Sequence, residues 1–313
     1  MIGTYAVPMV ELDAIVAALD DLYQLDTAKP DASMSRHVPR VFGEAGIDWR
    51  AFVEPLYAKR FNGLVRRGRA SVGTVNGACF PSADVLDAWL AVARPGDLLI
   101  THHPVDARCG SPEDDVWAAG FVPIAAAHLS AMAERELSFY ACHAPMDTSP
   151  TVGTGAAIVE ALGGRTVDHF WPYGSGYAGH IADIPPMSST SLVARVRAIF
   201  GVTTVEVLGP TRASVDRVAI LPGVGDQVDQ MAVAEGLGAQ AYLTGELHVR
   251  IEGERGRRNF AEVEAFAATT GMTLLGVSHA ASEHLVIETQ LARWLAARFR
   301  VALHPIREAQ WWR

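Results

Sequence analysis

The sequence predicts an α/β protein of two lobes, with mostly parallel or mixed sheets flanked by helices and a metal site at strand carboxyl ends between the lobes. Three observations carry this. Short apolar runs alternate with amphipathic stretches for most of the length. At 313 residues the chain exceeds the size at which a single core usually stops growing. Finally, the segments LLITHHP, FYACHAPMD, AYLTGELH and LLGVSHAASE are apolar runs that finish on His, Asp or Glu.

Taken in order, Val10, Ile15, Leu19 and Leu22 recur near helical spacing and predict a helix over 9–24. Residues 26–69, rich in Pro, Arg and turn residues, show no regular pattern and suggest no role. SVGTVNGA reads as a strand, residues 81–94 as a helix opened by Ser82 and stopped at Pro95-Gly96, and DLLIT as the next strand. LSAMAERE is helical, SFYACH a strand, and VGTGAAIVEALGG a helix bounded by glycines. The middle carries its own strands, TVEVL and RVAIL, with helices at SLVARVRAIF and QVDQMAVAEGLG. The earlier rhythm then returns with AQAYLTGE and MTLLGVSH as strands and NFAEVEAFAATTG as a helix. In SEHLVIETQLARWLAARF, Leu285, Glu288, Leu291, Leu295 and Phe299 share one side of a closing helix. Residues 1–165 together with 241–313 are therefore expected to form the ligand-bearing lobe, and 166–240 a second, smaller one.

Composition excludes several classes. Half the residues are hydrophobic and 19% are charged, which fits a folded globular chain rather than a disordered one. The net charge of −9 argues against a broad nucleic-acid face. The basic patches Arg66-Arg67-Gly68-Arg69 and Arg255 to Arg258 read as solvated turns. Cys79, Cys109 and Cys142 are too few and too scattered for a disulfide scaffold. The first residues lack a basic leader and carry Glu11 and Asp13, and no apolar run is long enough to span a bilayer. A cytoplasmic location is expected, with no membrane partner.

Histidine is the commonest metal ligand, and ligand sites in open α/β sheets gather beyond the carboxyl ends of strands. On an extended strand His102 and His103 should diverge, each able to serve one of two ions, with Pro104 holding His103 extended. His279 and Glu283 offer further ligands, the carboxylate also favoured by the positive end of a helix. Asp147, four residues after His143, offers a second carboxylate. Taken singly, Glu283 is an ordinary first-turn residue and Asp147 a turn or cap residue. His143 is either an outer residue that orients a ligand or shuttles a proton, or a structural histidine. Glu246, in TGELH, is a candidate acid/base group, and His248 covers either the cleft or solvent. The Gly223-Val224-Gly225 turn is either a plain tight turn or a place where amides approach a phosphate. Trp311 and Trp312 are candidates to cover an apolar patch or an oligomer contact.

THHP, CHAPMD and SHAASE, with VAILPGVGD and GAQAYLTGE in between, resemble the NGG-interacting-factor-like family, many members of which are labelled GTP cyclohydrolase I of the second type. The resemblance covers roughly residues 70–300. It implies a dinuclear site with His102, His103, Asp147, His279 and Glu283 as ligands, Glu283 bridging both ions, and assembly into ring-like hexamers. The chain departs from the family pattern at Ser278, where glycine is usual, at Ala280, where an aromatic is common, and at FNGL, a remnant of a Trp-Asp-Asn signature.

The expected function is a metal-dependent hydrolase holding two divalent ions per chain, from Zn, Fe, Mn or Ni. Its substrate would be a small molecule such as a nucleotide or a related heterocycle or phosphate ester, with His143 and Glu246 as acid/base groups. The family label implies GTP ring opening, and phosphoester or amide hydrolysis is the enzymatic alternative. The rival class is a metal carrier or regulatory scaffold using the same cluster without turnover.

Overall fold

The computed structural model describes residues 9–113 and 115–312, so the first eight residues of the N-terminal stretch, where a leader would begin, lie outside it. The chain divides into two compact units. Unit 1 comprises Met1–Asp106, Pro123–Pro145 and Ile287–Glu308, and unit 2 comprises Ala107–Val122, Met146–Val286 and Ala309–Arg313. Among the described residues no helix is long and apolar enough to cross a membrane.

Unit 1 is built on a five-stranded sheet in the order Leu303–Pro305, Val75–Ala78, Leu98–Thr101, Ser138–Ala141, Gly63–Arg66. Only the last of these runs antiparallel to its neighbour. The helix expected over 81–94 forms at Ala83–Val92. The Ser82 hydroxyl accepts the Val85 amide at its N-terminus, a cap worth about 1 kcal/mol. The segment 26–69 is also ordered. It folds into the helix Met34–Glu44 and the short helix Tyr57–Arg60, with Met34, Val38, Val41, Phe42, Trp49 and Tyr57 buried.

Unit 2 holds a six-stranded sheet in the order Glu206–Leu208, Thr273–Gly276, Ala241–Glu246, Val215–Val224, Gly176–Met187, Arg165–Tyr173. Its middle strands are parallel and its flanks antiparallel. This divides the chain differently from the sequence pattern, which groups 241–313 with the N-terminal strands. Ile220 pairs with Leu243 and Leu243 with Leu275, so both strands belong to the sheet of the middle segment. Runs buried on both faces mark the interior of a parallel sheet without saying which sheet. Tyr242, Leu274, Met231 and Val263 are fully buried in the core beneath it.

The closing helix is not continuous. It runs as α-helix over His279–Val286, loosens into a π-helical turn over Ile287–Leu291, and resumes over Ala292–Phe299. Unit 2 gives way to unit 1 at the start of that turn, between Val286 and Ile287. Such turns insert a residue into the helical ladder and recur at functional positions.

Candidate metal centre

In unit 1 the strands Val75–Ala78, Leu98–Thr101 and Ser138–Ala141 end level with one another, Thr101 pairing with both Ala78 and Ala141. The residues just beyond them are thereby brought side by side. His102, His103 and His143 are all buried, and one ring nitrogen of each lies within 4.8 Å of the others. The two neighbouring rings do not diverge. Alternation holds only inside a strand, and the strand stops at Thr101. The chain then bends, the Thr101 hydroxyl donates to the His103 carbonyl at 2.5 Å, and the rings meet edge to face with centroids 4.6 Å apart. His103 stacks on Phe80 at 4.2 Å. His102 Nδ1 lies 3.0 Å from the Cys142 carbonyl oxygen, an acceptor, so that nitrogen carries the proton.

His143 is fastened from two sides. Its amide donates to Asn62 Oδ1 at 2.7 Å, and its Nδ1 lies 2.8 Å from Asp31 Oδ2. Burial would push the Asp31 carboxyl up. The His143 imidazole and the amides of Met34 and Ala144 more than offset this and hold it well below the usual carboxylate range.

In unit 2 the imidazole of His279 sits between two carboxylates. Its Nε2 is 3.2 Å from Glu283 Oε2, and its Nδ1 is 3.6 Å from Glu246 Oε2 and 3.6 Å from Cys109 Sγ. His279, Glu246 and Glu283 are 8%, 3% and 4% exposed. Asp147 joins them, an oxygen of its carboxylate lying within 4.8 Å of one on Glu283, while Oδ1 accepts the Thr154 hydroxyl at 2.9 Å. Burial raises the Glu246 carboxyl above its ordinary range, with His279 and Cys109 partly opposing it. Burial also pushes the Cys109 thiol up to about 12, helped by Glu246. For His279 burial alone would lower the imidazole, but Glu283, Cys109 and Glu246 hold it well above its ordinary value.

Two buried carboxyls flank the His279 imidazole and a third, that of Asp147, lies beside Glu283; together they form an electron-rich pocket whose charge a cation would balance. The 3.2 Å separation of Nε2 and Oε2 also fits shared coordination. Bonds of about 2.0–2.1 Å at tetrahedral angles give ligand edges of about 3.3 Å. The donor sets, imidazoles in unit 1 and imidazole with carboxylates in unit 2, suit borderline divalent ions and choose none of them.

The helix His279–Val286 begins at His279 itself, so this candidate ligand leads a helix rather than ending a strand. Ser278 turns the chain there with φ +102°, a value natural to glycine. The amides of the GVG turn are used internally. Gly223 donates to Ser282 Oγ at 3.0 Å and Gly225 to the Glu246 carbonyl at 3.1 Å, so the turn is a close-packing device. His248 is buried at 2% against Glu206, not solvent-facing. Trp311 and Trp312 cover unit 2 itself: the Trp311 carbonyl accepts the Ser278 hydroxyl and Trp312 Nε1 donates to the Thr204 carbonyl at 3.3 Å. Sequence reasoning misses Asp31 and Cys109. The first lies in a stretch without periodicity, and the second is one scattered cysteine with no ligand spacing.

The fold and these clusters define an α/β protein in two units, each carrying a buried group of histidines or of histidine with carboxylates suited to divalent metal. Residues 61–309 match the Duf34/NIF3 (NGG1p interacting factor 3) model, and the chain belongs to that family. A "GTP cyclohydrolase 1 type 2 homolog" from Neisseria meningitidis serogroup A is 26% identical over 186 residues, covering 59% of this chain and 69% of that protein. One of the same name from Yersinia pestis is 24% identical over 248 residues, covering 77% and 86%. Among solved structures, reduced HcgD from Methanocaldococcus jannaschii aligns with TM-score 0.62 at 13% identity over 96% of this chain and 98% of its own. A Bacillus cereus protein related to NIF3 aligns with TM-score 0.59 at 13% identity, over 95% and 96%. At those identities the likeness is one of fold.

Proposed function

We propose that this protein is a metal-dependent hydrolase whose five ligands, His102, His103, Asp147, His279 and Glu283, hold two divalent ions drawn from Zn, Fe, Mn or Ni. The observation that carries the metal reading is the His279 imidazole held between the buried carboxyls of Glu246 and Glu283. The pairing of this set with the histidines of unit 1 comes from the family resemblance. So does homo-oligomeric assembly, in a hexamer, whereas action in the cytoplasm is proposed from the scattered cysteines and the lack of a bilayer-spanning apolar run. When bound, such ions supply Lewis acidity that brings the pKa of water towards neutrality.

The chain's own residues supply proton handling. The ring of His143 is anchored through Nδ1, which leaves Nε2 to accept or return a proton. Burial raises the Glu246 carboxyl above its ordinary range, which suits it to exchange a proton closer to neutrality than an exposed carboxyl would. The proposed substrate is a nucleotide or a related heterocycle or phosphate ester. The names of the relatives point to GTP.

Elemental analysis of the purified protein, with turnover of GTP and of a phosphodiester measured with and without EDTA, tests this. We expect about two ions per chain and turnover that chelator abolishes. Asp147→Ala and Glu283→Ala are expected to lower metal content sharply while the far-ultraviolet circular dichroism stays native. Unchanged metal stoichiometry in both variants would overturn the ligand set. Bound metal without chelator-sensitive turnover would overturn the hydrolase and leave a carrier or scaffold.

A further inference from the structure

We infer that Asp31 is a positioning residue that locks the tautomer of His143. It lies in the stretch ahead of residues 61–309, the part matched to the family. The carboxylate is saturated. Oδ1 accepts the amides of Ser33 at 2.9 Å and Met34 at 2.8 Å, and Oδ2 accepts the Ala144 amide at 3.1 Å while facing His143 Nδ1 at 2.8 Å. Asp31 is 2% exposed and His143 7%, so water does not compete for these bonds.

Three of the four contacts are backbone amides, which only donate. Against burial, those of Met34 and Ala144 help hold the carboxyl ionised, well below its ordinary range. Both oxygens thus act as acceptors, and the fourth contact is a donor as well. The proton of neutral His143 therefore resides on Nδ1, and Nε2 carries the lone pair. The His143 ring centroid lies 5.0 Å from that of His102 and 4.7 Å from that of His103. A carboxylate behind an imidazole in this manner fixes ring orientation and raises the basicity of the far nitrogen. The amide bond from His143 to Asn62 and that from Ala144 to Asp31 hold the backbone on both sides of the ring's attachment. The helix Met34–Glu44, whose first amide Asp31 caps, thus acquires a second task in unit 1 besides packing.

The tautomer rests on these hydrogen bonds alone. Its consequence for metal retention rests on the proposed centre. The test is Asp31→Asn, in which Oδ1 still accepts the Ser33 and Met34 amides but an NH2 group replaces the acceptor facing Nδ1. Long-range proton–nitrogen correlation spectra of metal-free, 15N-histidine-labelled protein, recorded at a pH where the His143 ring shows the two distinct nitrogen shifts of a neutral imidazole, report which nitrogen is protonated. A His143→Gln variant identifies the resonance. We expect Nδ1–H in the native chain and Nε2–H in Asp31→Asn.

Nε2–H in the native chain overturns the inference without any variant, so it stays testable if Asp31→Asn fails to fold. The same tautomer in both proteins also overturns it. Zinc titration of the two proteins is the second readout: His143 stands beside His102 and His103, and a lower affinity is expected in Asp31→Asn. Equal affinity in a variant whose tautomer has flipped overturns the effect on metal. Failure of both proteins to bind zinc defeats the proposed metal centre instead and leaves the spectra to decide on Asp31.

Discussion

Gly223→Ala is expected to destabilise the protein by about 2–5 kcal/mol and to displace the Glu283 carboxylate. Gly223 has φ +70°, and a Cβ built there lies 2.2 Å from Glu283 Oε1 and 3.2 Å from His279 Nε2. The left-handed backbone alone costs a non-glycine residue about 1–2 kcal/mol, and forcing a methyl into packed surroundings adds about 1–3 kcal/mol. The carboxylate must turn away from the new methyl, and with it from His279 Nε2, which also lies within 3.2 Å of that Cβ. Its helix is held to the same turn by the Gly223 amide to Ser282 Oγ, so a shift of the turn also carries the helix that bears Glu283. Urea unfolding measures the stability, and elemental analysis measures retained metal. Gly236→Ala is the control: Gly236 has open space around its Cβ position and no positive φ, and removing a helical glycine there should gain about 0.5–1 kcal/mol. Equal midpoints for the two variants would show that the GVG turn tolerates a side chain and that its close approach to Glu283 is unimportant.

The same corner shows why some of the site is legible in the sequence and some is not. The ends of apolar strands are readable because apolar runs are long, periodic signals, and the sheet itself gathers the residues just past each parallel strand's carboxyl end along one edge. His102, His103 and His143 are placed by that rule alone. The meeting of the two adjacent rings is not readable, because strand alternation gives out at Thr101, where its hydroxyl ties down the His103 carbonyl. His279 leads a helix instead of ending a strand for a related reason. The residue type at 278 conceals its backbone conformation, φ +102°, which glycine normally supplies; only the family's usual glycine there points to it.

Longer-range features are harder still. Arg165–Tyr173 and Gly176–Met187 form an antiparallel hairpin on the edge of the unit 2 sheet, and only Phe170 of the first is buried. Its mixed composition carries none of the apolar signal that marks the inner strands. Asp31 reaches His143 across 112 positions of sequence, a contact that no periodicity encodes. The division into units escapes for the same reason, since strands buried on both faces look alike whichever sheet takes them.

Glu206→Ala is expected to cost about 3–5 kcal/mol, the usual result of removing one partner from a buried ion pair. Glu206 Oε1 lies 2.8 Å from His248 Nδ1 and 3.0 Å from Arg250 Nη2. The side chains of Glu206, His248 and Arg250 are 11%, 1% and 8% exposed, and the His248 ring stacks on Phe260 at 4.0 Å. Removing the carboxylate takes away the buried counter-charge of the Arg250 guanidinium and leaves it the exposed carboxylate of Asp115, 3.6 Å away, and the His248 carbonyl at 3.5 Å. Burial pushes the Glu206 carboxyl up, but His248 and Arg250 prevail and hold it below its ordinary value. A carboxyl depressed in the native state adds stability that is fully present above its unfolded pKa of about 4.3 and disappears as pH falls through the lower native value. Urea midpoints at neutral pH and at successively lower pH should therefore converge for native and variant proteins, because the native chain loses a contribution the variant never had. A double change, Glu206→Leu with Arg250→Met, should be less destabilising than Glu206→Ala alone, since it leaves no buried guanidinium without its carboxylate. Parallel pH profiles, or a double variant as unstable as the single one, would mean that Glu206 acts through packing rather than charge.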